Sequence, residues 1–273
     1  MKTVGLALGG GGARGLAHIA VIEALDDMGV RPAAIAGTSI GAIIGAGCAA
    51  GMSGKEMRRY AISLAHNRAE VMRRMIRSRA GKLSDLFGGG FGDATRLDAE
   101  RMCEHFLPEA LPEDFAGLPI PLTVIASDLY RRSEVVFDRG PLRRALAASI
   151  ALPTIMRPVE VDGRVLVDGG ATNPLPFDRL RGRADVIVAV EISGPVSASR
   201  REVPSALECL YATVLVMTHS IISEKLKQGA PDLLLQPNVG SFRTLNFLQA
   251  SAILRAAEPV KAEIRERLGR LLA

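Results

Sequence analysis

Residues 36–42 read Ala36-Gly37-Thr38-Ser39-Ile40-Gly41-Ala42. They fit the pattern G-x-S-x-G. A short apolar run (Ala33, Ala34, Ile35, Ala36) precedes them, and small and apolar residues (Ile40, Ala42, Ile43, Ile44, Ala46, Cys48, Ala49) follow. The setting says more than the five letters. A strand that runs through a serine into a helix makes a sharp turn, which holds the hydroxyl exposed and needs small flanking residues. The helix behind it aims its N-terminal amides and positive dipole end at charge developing beside that serine. The stretch therefore predicts a nucleophilic Ser39, with a tightly packed glycine helix as the alternative.

Upstream, residues 3–8 read as a buried strand and run into Gly9-Gly10-Gly11-Gly12-Ala13-Arg14-Gly15. A helix over 16–28 follows, with Leu16, Ile19, Ala20, Ile22 and Leu25 on one face and a stop at Gly29. Strand, helix, strand, helix within the first fifty residues predicts an α/β fold with a parallel sheet and right-handed crossovers. The glycine run also satisfies G-x-G-x-x-G, so dinucleotide binding must be weighed. That use expects an acidic residue near the end of the second strand, yet no carboxylate lies between Asp27 and Glu56. The better reading is a loop whose unobstructed amides form an oxyanion hole beside Ser39. Arg14 either adds charge there or pins the loop.

Downstream, residues 53–79 have helical apolar spacing and carry Arg58, Arg59, Arg68, Arg73, Arg74, Arg77 and Arg79. This is a solvated basic face over a packed one, a composition that also admits peripheral membrane contact. Residues 81–93, with Gly88-Gly89-Gly90, read as a mobile loop, so a lid or substrate entrance is expected at about 53–95. A helix over 97–107 capped near Thr95 and a core strand over 121–127 follow, then a strand over 134–137 and a helix over 141–149 started by a proline. Residues 159–161 and 164–167 form a hairpin around Asp162-Gly163. It delivers Asp168-Gly169-Gly170. Further strands are expected at 186–192 and 233–235, long helices at 205–226 and 245–272, and a surface linker at 195–204. No repeat or composition break divides the chain, so 1–273 reads as one domain.

Composition excludes several classes. Of 273 residues, 48% are apolar and 23% charged, which supplies a core and rules out wholesale disorder. Tryptophan is absent and aromatics make up 4%, so base stacking is a poor guess and no nucleic-acid partner is expected. A net charge of +5 permits attraction to anionic surfaces. Three widely spaced cysteines fit neither a metal site nor a disulfide framework, which points to the cytoplasm. The first apolar run is too short for a signal peptide. The uncharged stretch 32–54 is broken by glycines and reads as strand plus helix, not as a membrane span.

Ser39 needs a base. Of the histidines, His18, His66 and His105 lie on predicted helices away from strand ends. His219 has the chain order of a Ser-Asp-His triad but sits on an apolar helix. Asp168 is the better candidate, because it ends a strand and two glycines leave room around it. Partial desolvation there would raise its pKa and improve it as a base.

Together these residues resemble the patatin-like phospholipases, in particular their small bacterial members. The resemblance runs through Gly10-Gly11-Gly12-Ala13-Arg14-Gly15, Gly37-Thr38-Ser39-Ile40-Gly41, Ala148-Ser149-Ile150-Ala151-Leu152-Pro153 and Asp168-Gly169-Gly170. It implies a three-layer α/β/α fold around a mainly parallel sheet. It also implies a Ser39–Asp168 dyad without histidine, and an oxyanion hole of the Gly10, Gly11 and Gly12 amides. Ser149 is expected to be structural, and neither metal nor cofactor is expected. The implied activity is a serine acyl hydrolase (phospholipase, lysophospholipase or carboxylesterase) acting on phospholipid, lysophospholipid or another acyl ester. An acyltransferase with the same dyad and a non-catalytic membrane-binding module are the rivals.

Overall fold

The computed structural model describes residues 2–79, 96–193 and 206–273, without the side chains of 206–208 and 211. The expected loop at 81–93 and linker at 195–204, and with them the Thr95 cap, lie outside the described residues. Strands β1 (Val4–Leu8) and β2 (Ala34–Thr38) are buried throughout and pair in parallel. On β2 lies β3 (Leu122–Asp128), and on β1 lie β7 (Val186–Val190) and then β8 (Leu233–Leu235), all parallel. Strands β4 (Ser133–Phe137), β5 (Val159–Val161) and β6 (Arg164–Asp168) join antiparallel, so the sheet is mixed with a parallel centre.

Alternation along the strands sets the layers. Leu6, Leu8, Ile35, Leu122 and Val124 pack on one face against helices α1 (Ala17–Asp27), α2 (Ile40–Ala49), α5 (Ala99–Phe106) and α6 (Leu142–Ile150). Helices α8 (Ala250–Ala257) and α9 (Val260–Leu272) complete that layer. The opposite face carries Ala7, Ala34, Ala36 and Ala189. These small side chains let Leu175, Phe177 and Leu180, and Ile222 of α7 (Ala206–Gln228), approach closely.

Two expected helices are subdivided, each for a local reason. Residues 53–79 form α3 (Gly54–His66) and α4 (Arg68–Arg77), broken at Asn67, whose side chain accepts the Glu70 N–H at 3.1 Å. The stretch 245–272 divides at Pro259, which lacks the N–H a continuous helix needs. The first helix is preceded by a 3₁₀ turn over Gly12–Leu16. Helix α5 is capped by Asp98, which accepts the Arg101 N–H at 3.1 Å. Among the described residues no helix is long and apolar enough to cross a membrane.

Three sheet-flanking helices are tied by one buried carboxylate. Glu23 of α1 accepts both Nε and Nη2 of Arg58 on α3 at 2.6 Å, and Lys261 on α9 at 2.6 Å. Desolvation alone would raise the Glu23 pKa, but these hydrogen bonds hold it below the usual carboxylate range. Glu23→Ala leaves Arg58 and Lys261 only the more exposed Glu258 as a partner, and chemical denaturation should show a loss of about 2 kcal/mol.

Candidate active site

The edges of β3 create the site. Val124 pairs with Gly37 of β2 and with Phe137 of β4, so β2 and β4 lie on opposite edges. Ala126 pairs with Val135 of β4 and with Asp168 of β6, which puts β6 on the edge that β2 occupies. β2 runs along that edge as far as Thr38 opposite Ile125. β6 arrives from the other direction and ends with Asp168 opposite Ala126. The carboxyl ends of the two strands therefore meet head-on at neighbouring positions, and the residues there are Ser39 and Asp168.

Ser39 caps α2 with φ 55° and ψ −124°, a conformation that non-glycine residues rarely adopt. The turn is tight on both sides. A Cβ on Gly37 would lie 2.6 Å from the Ala42 backbone, and one on Gly41 would lie 2.2 Å from the Leu8 carbonyl oxygen. The Ser39 hydroxyl donates to Asp168 Oδ2 at 2.6 Å. The Ser39 N–H donates to Ser149 Oγ at 2.9 Å, and Ser149 Oγ donates in turn to the Ile125 carbonyl at 2.6 Å. Ser149 is fully buried and braces the turn against β3. It makes no hydrogen bond to the Ser39 or Asp168 side chain.

Asp168 is buried, and Oδ1 accepts the Gly170 N–H at 2.8 Å. Burial pushes its pKa up to about 6, against the opposing pull of the Ser39 and Gly170 hydrogen bonds. Gly169 sits where β6 turns under β3, next to the Ile125 carbonyl. The loop beyond it is anchored through Asn173, whose carbonyl accepts Thr38 Oγ1 at 2.7 Å. The Asn173 side chain is held by Glu134, Asp178 and Lys225.

The glycine loop stands beside this pair, but its amides are not equivalent. The Gly10 N–H donates to the Pro174 carbonyl at 3.0 Å and the Ala13 N–H to the Thr244 carbonyl at 2.7 Å. The Gly11 and Gly12 amides between them have no hydrogen-bond acceptor among the described residues. Arg14 is buried and donates to three main-chain carbonyls: Phe242 and Ser193 at 2.8 Å, and Gly240 at 2.9 Å. It pins the loop to the C-terminal part of the chain, with Nε, Nη1 and Nη2 each donating to one of those carbonyls. Gly15 lies against Ile40 at the start of α2.

The histidines are elsewhere. His18 is buried with Nε2 2.9 Å from the Gly9 carbonyl, and burial pushes its pKa down to about 4. His219 is exposed on α7, its ring nitrogen 3.5 Å from Ser223 Oγ. Neither bonds to Ser39 or Asp168. Among the described residues no cluster of histidine, cysteine or carboxylate side chains could hold a metal.

Above Ser39, Asp168 and the glycine loop opens an apolar cavity of about 630 Å³. Its walls come from α2, α3, α4 and α5, with Met52, Met57, Met72, Met75, Met102 and Met156 among the lining side chains. The segment 150–156 and, from the far end of the chain, α7 and residues 244–248 add to them. Helices α3 and α4 fall in the 53–95 stretch where the sequence leads one to expect a lid or entrance, whereas the other walls read there only as core-like periodicity. Nothing in the sequence showed that residues 240–244, far along the chain, back the glycine loop.

A serine hydroxyl donating to a desolvated carboxylate, with amides beside it and an apolar cavity above, is an arrangement suited to acyl transfer. The chain belongs to the patatin-like phospholipase family, whose signature matches residues 6–181. An uncharacterised NTE family protein of Mycobacterium tuberculosis is 40% identical over 200 residues, 73% of this chain and 51% of that protein. Human patatin-like phospholipase domain-containing protein 6 is 31% identical over 194 residues, 70% of this chain and 13% of that protein. The chain thus spans about half the length of the mycobacterial relative. Among solved structures, VipD from Legionella pneumophila has the same fold, with a TM-score of 0.53 and 15% identity over 97% of this chain and 66% of VipD.

The raised Asp168 pKa has a stability consequence of definite sign. The native state holds this proton to about pH 6, whereas the unfolded chain releases it near the ordinary aspartate value of 3.8. The residue therefore turns against folding as pH rises from about 4 to 6, and its cost above that is about 3 kcal/mol. Asp168→Asn should raise the unfolding free energy by that order at pH 7.5. Urea denaturation across pH should show the gain shrinking between pH 6 and 4.

Proposed function

We propose that the chain is a serine acyl hydrolase that cleaves ester-linked acyl chains from phospholipid or lysophospholipid. The observation that carries this reading is the 2.6 Å hydrogen bond from Ser39 Oγ to the buried Asp168 carboxylate at the floor of an apolar cavity. The acyl chain lies among the methionines and leucines of the cavity, which places its ester carbonyl over Ser39. Asp168 Oδ2 accepts the hydroxyl proton as Ser39 Oγ attacks the carbonyl carbon. Negative charge gathers on the carbonyl oxygen, where the Gly11 and Gly12 amides donate and the N-terminus of α2 adds its positive end. Gly10 contributes by fixing the loop through Pro174.

The tetrahedral intermediate collapses, and the leaving alcohol takes the proton from Asp168. An acyl-enzyme on Ser39 remains. Asp168, again ionised, takes a proton from water as that water attacks the acyl carbon. The second tetrahedral intermediate then breaks its bond to Ser39 Oγ, which takes the proton back from Asp168 as the fatty acid leaves. The elevated pKa suits both halves of the cycle. A carboxyl group poised near pH 6 accepts a serine or water proton better than an ordinary aspartate and still returns it. The family relationship supports a lipid substrate, and the largely apolar walls favour an acyl chain over a polar ligand.

A fluorophosphonate probe should form a covalent adduct with the wild-type chain that maps to Ser39 and is absent from Ser39→Ala. Asp168→Asn should slow labelling and the turnover of a soluble p-nitrophenyl ester by about 10²-fold or more, while His219→Ala leaves both unchanged. Labelling that survives Ser39→Ala overturns the assignment. The pH profile gives a second check: kcat/KM for the soluble ester should climb about tenfold per pH unit up to about 6, then level off.

A further inference from the structure

Most of the cavity wall is shielded, but a few residues both line it and stand open to solvent, and these mark its mouth. They are Met72 on α4, Val214 on α7, and Leu245, Phe247 and Leu248, with relative exposures of 38% to 61%. Arg68 of α4 is exposed at the same rim. Helical spacing carries the apolar surface outward from the mouth. Ile76 stands one turn beyond Met72, 53% exposed, and Met217 one turn beyond Val214, 58% exposed. From Cys209 to Ser223, α7 contains no charged residue. Large side chains gathered in this way around one opening are not the scattered hydrophobics of an ordinary surface.

Charge is ordered around the same opening. The exposed stripe of α4 through Met72 and Ile76 lies directly beside one through Arg73 and Arg77. The helix carries four arginines and one carboxylate, Glu70, which pairs with Arg73 at 2.7 Å and Arg74 at 2.8 Å. Arg68 and Arg77 have no ion pair among the described residues. An apolar stripe flanked by a basic one is how a helix lies in an anionic lipid interface. A second copy of the chain, meeting this face with its own, would bring the two basic stripes together.

We propose that the mouth of the cavity, formed by α4, α7 and residues 245–248, docks on an anionic phospholipid surface and receives its acyl chain directly from that surface. Delivery of the chain to Ser39 rests on the hydrolase reading; the docking does not. The apolar rim displaces water from the lipid surface while Arg68, Arg73 and Arg77 meet lipid phosphates. The chain then passes between two apolar phases without crossing water.

The test measures vesicle binding and ester turnover separately. Ser39→Ala, which cannot turn over lipid, is floated with phosphatidylcholine vesicles with or without 30% phosphatidylglycerol. Binding at least tenfold stronger to the anionic vesicles is expected. Adding Ile76→Glu and Met217→Glu, both outside the cavity, should reduce it at least tenfold. In the wild-type background this pair should suppress hydrolysis of vesicle lipid and leave turnover of a soluble p-nitrophenyl butyrate within twofold. Arg77→Glu, milder for folding, should weaken anionic binding about fivefold. Failure of the wild-type surface to bind anionic vesicles overturns the proposal, as does binding indifferent to these substitutions. So does a dimer that the glutamates dissociate while vesicles stay unbound. Vesicle binding without turnover of the soluble ester would leave docking standing and remove the hydrolase reading instead.

Discussion

The structure depends on one edge of β3 being shared by two strands. β2 and β6 run towards each other along it and stop at adjacent positions, Thr38 opposite Ile125 and Asp168 opposite Ala126. Everything chemical about the site follows from that arrangement. The residue after Thr38 and the last residue of β6 are brought together by sheet hydrogen bonds, not by a flexible loop. Side-chain direction alternates along a strand, so a slip of one residue in β6 would carry Asp168 to the wrong face. Sheet registry and the Ser39–Asp168 contact are thus the same specification.

Holding the pair in place is costly, and the cost is met elsewhere. Ser39 occupies a backbone conformation worth of order 1–3 kcal/mol of strain, and Asp168 is stripped of water. Against this the turn is overdetermined. Ser149 ties Ser39 to β3, Asn173 ties Thr38 to the loop beyond Asp168, and Pro174 ties that same loop to Gly10. Arg14 adds a distant anchor, with all its hydrogen bonds made to the main chain of residues 193–242. The glycine loop is consequently rigid where it must be, and its two unpaired amides sit between pinned neighbours.

Much of this could be read from residue order. The alternation of strand and helix, the glycines about Ser39 and the Asp162-Gly163 hairpin that ends in Asp168 are local patterns, and each produces the element expected of it. The resemblance drawn from the four signatures is borne out over residues 6–181. The helix breaks were written in the sequence too. Asn67 with Glu70 three residues on is a start signal, and Pro259 is a stop, but continuous apolar spacing masks both. What was out of reach is non-local. A sequence cannot tell that Gly10 spends its amide on Pro174 while Gly11 and Gly12 keep theirs. Nor can it decide whether a lone Arg14 faces a ligand or three carbonyls from the far end of the chain.

The cavity walls and the Ser39–Asp168 pair draw on different parts of the molecule. The walls belong to helices laid outside the sheet and to residues 244–248, and unbranched methionines make up much of the lining. Ser39 and Asp168 belong to strand ends, and their side chains hydrogen-bond to each other and to the Gly170 amide, not to the side chains of those walls. The two can therefore drift at different rates over evolutionary time. Exchanging one wall side chain for another of different bulk redraws the shape available to a chain without moving the serine or the carboxylate. Such a scaffold can be refitted cheaply, because the side chains that shape its hollow are not the ones that hold its strand ends together.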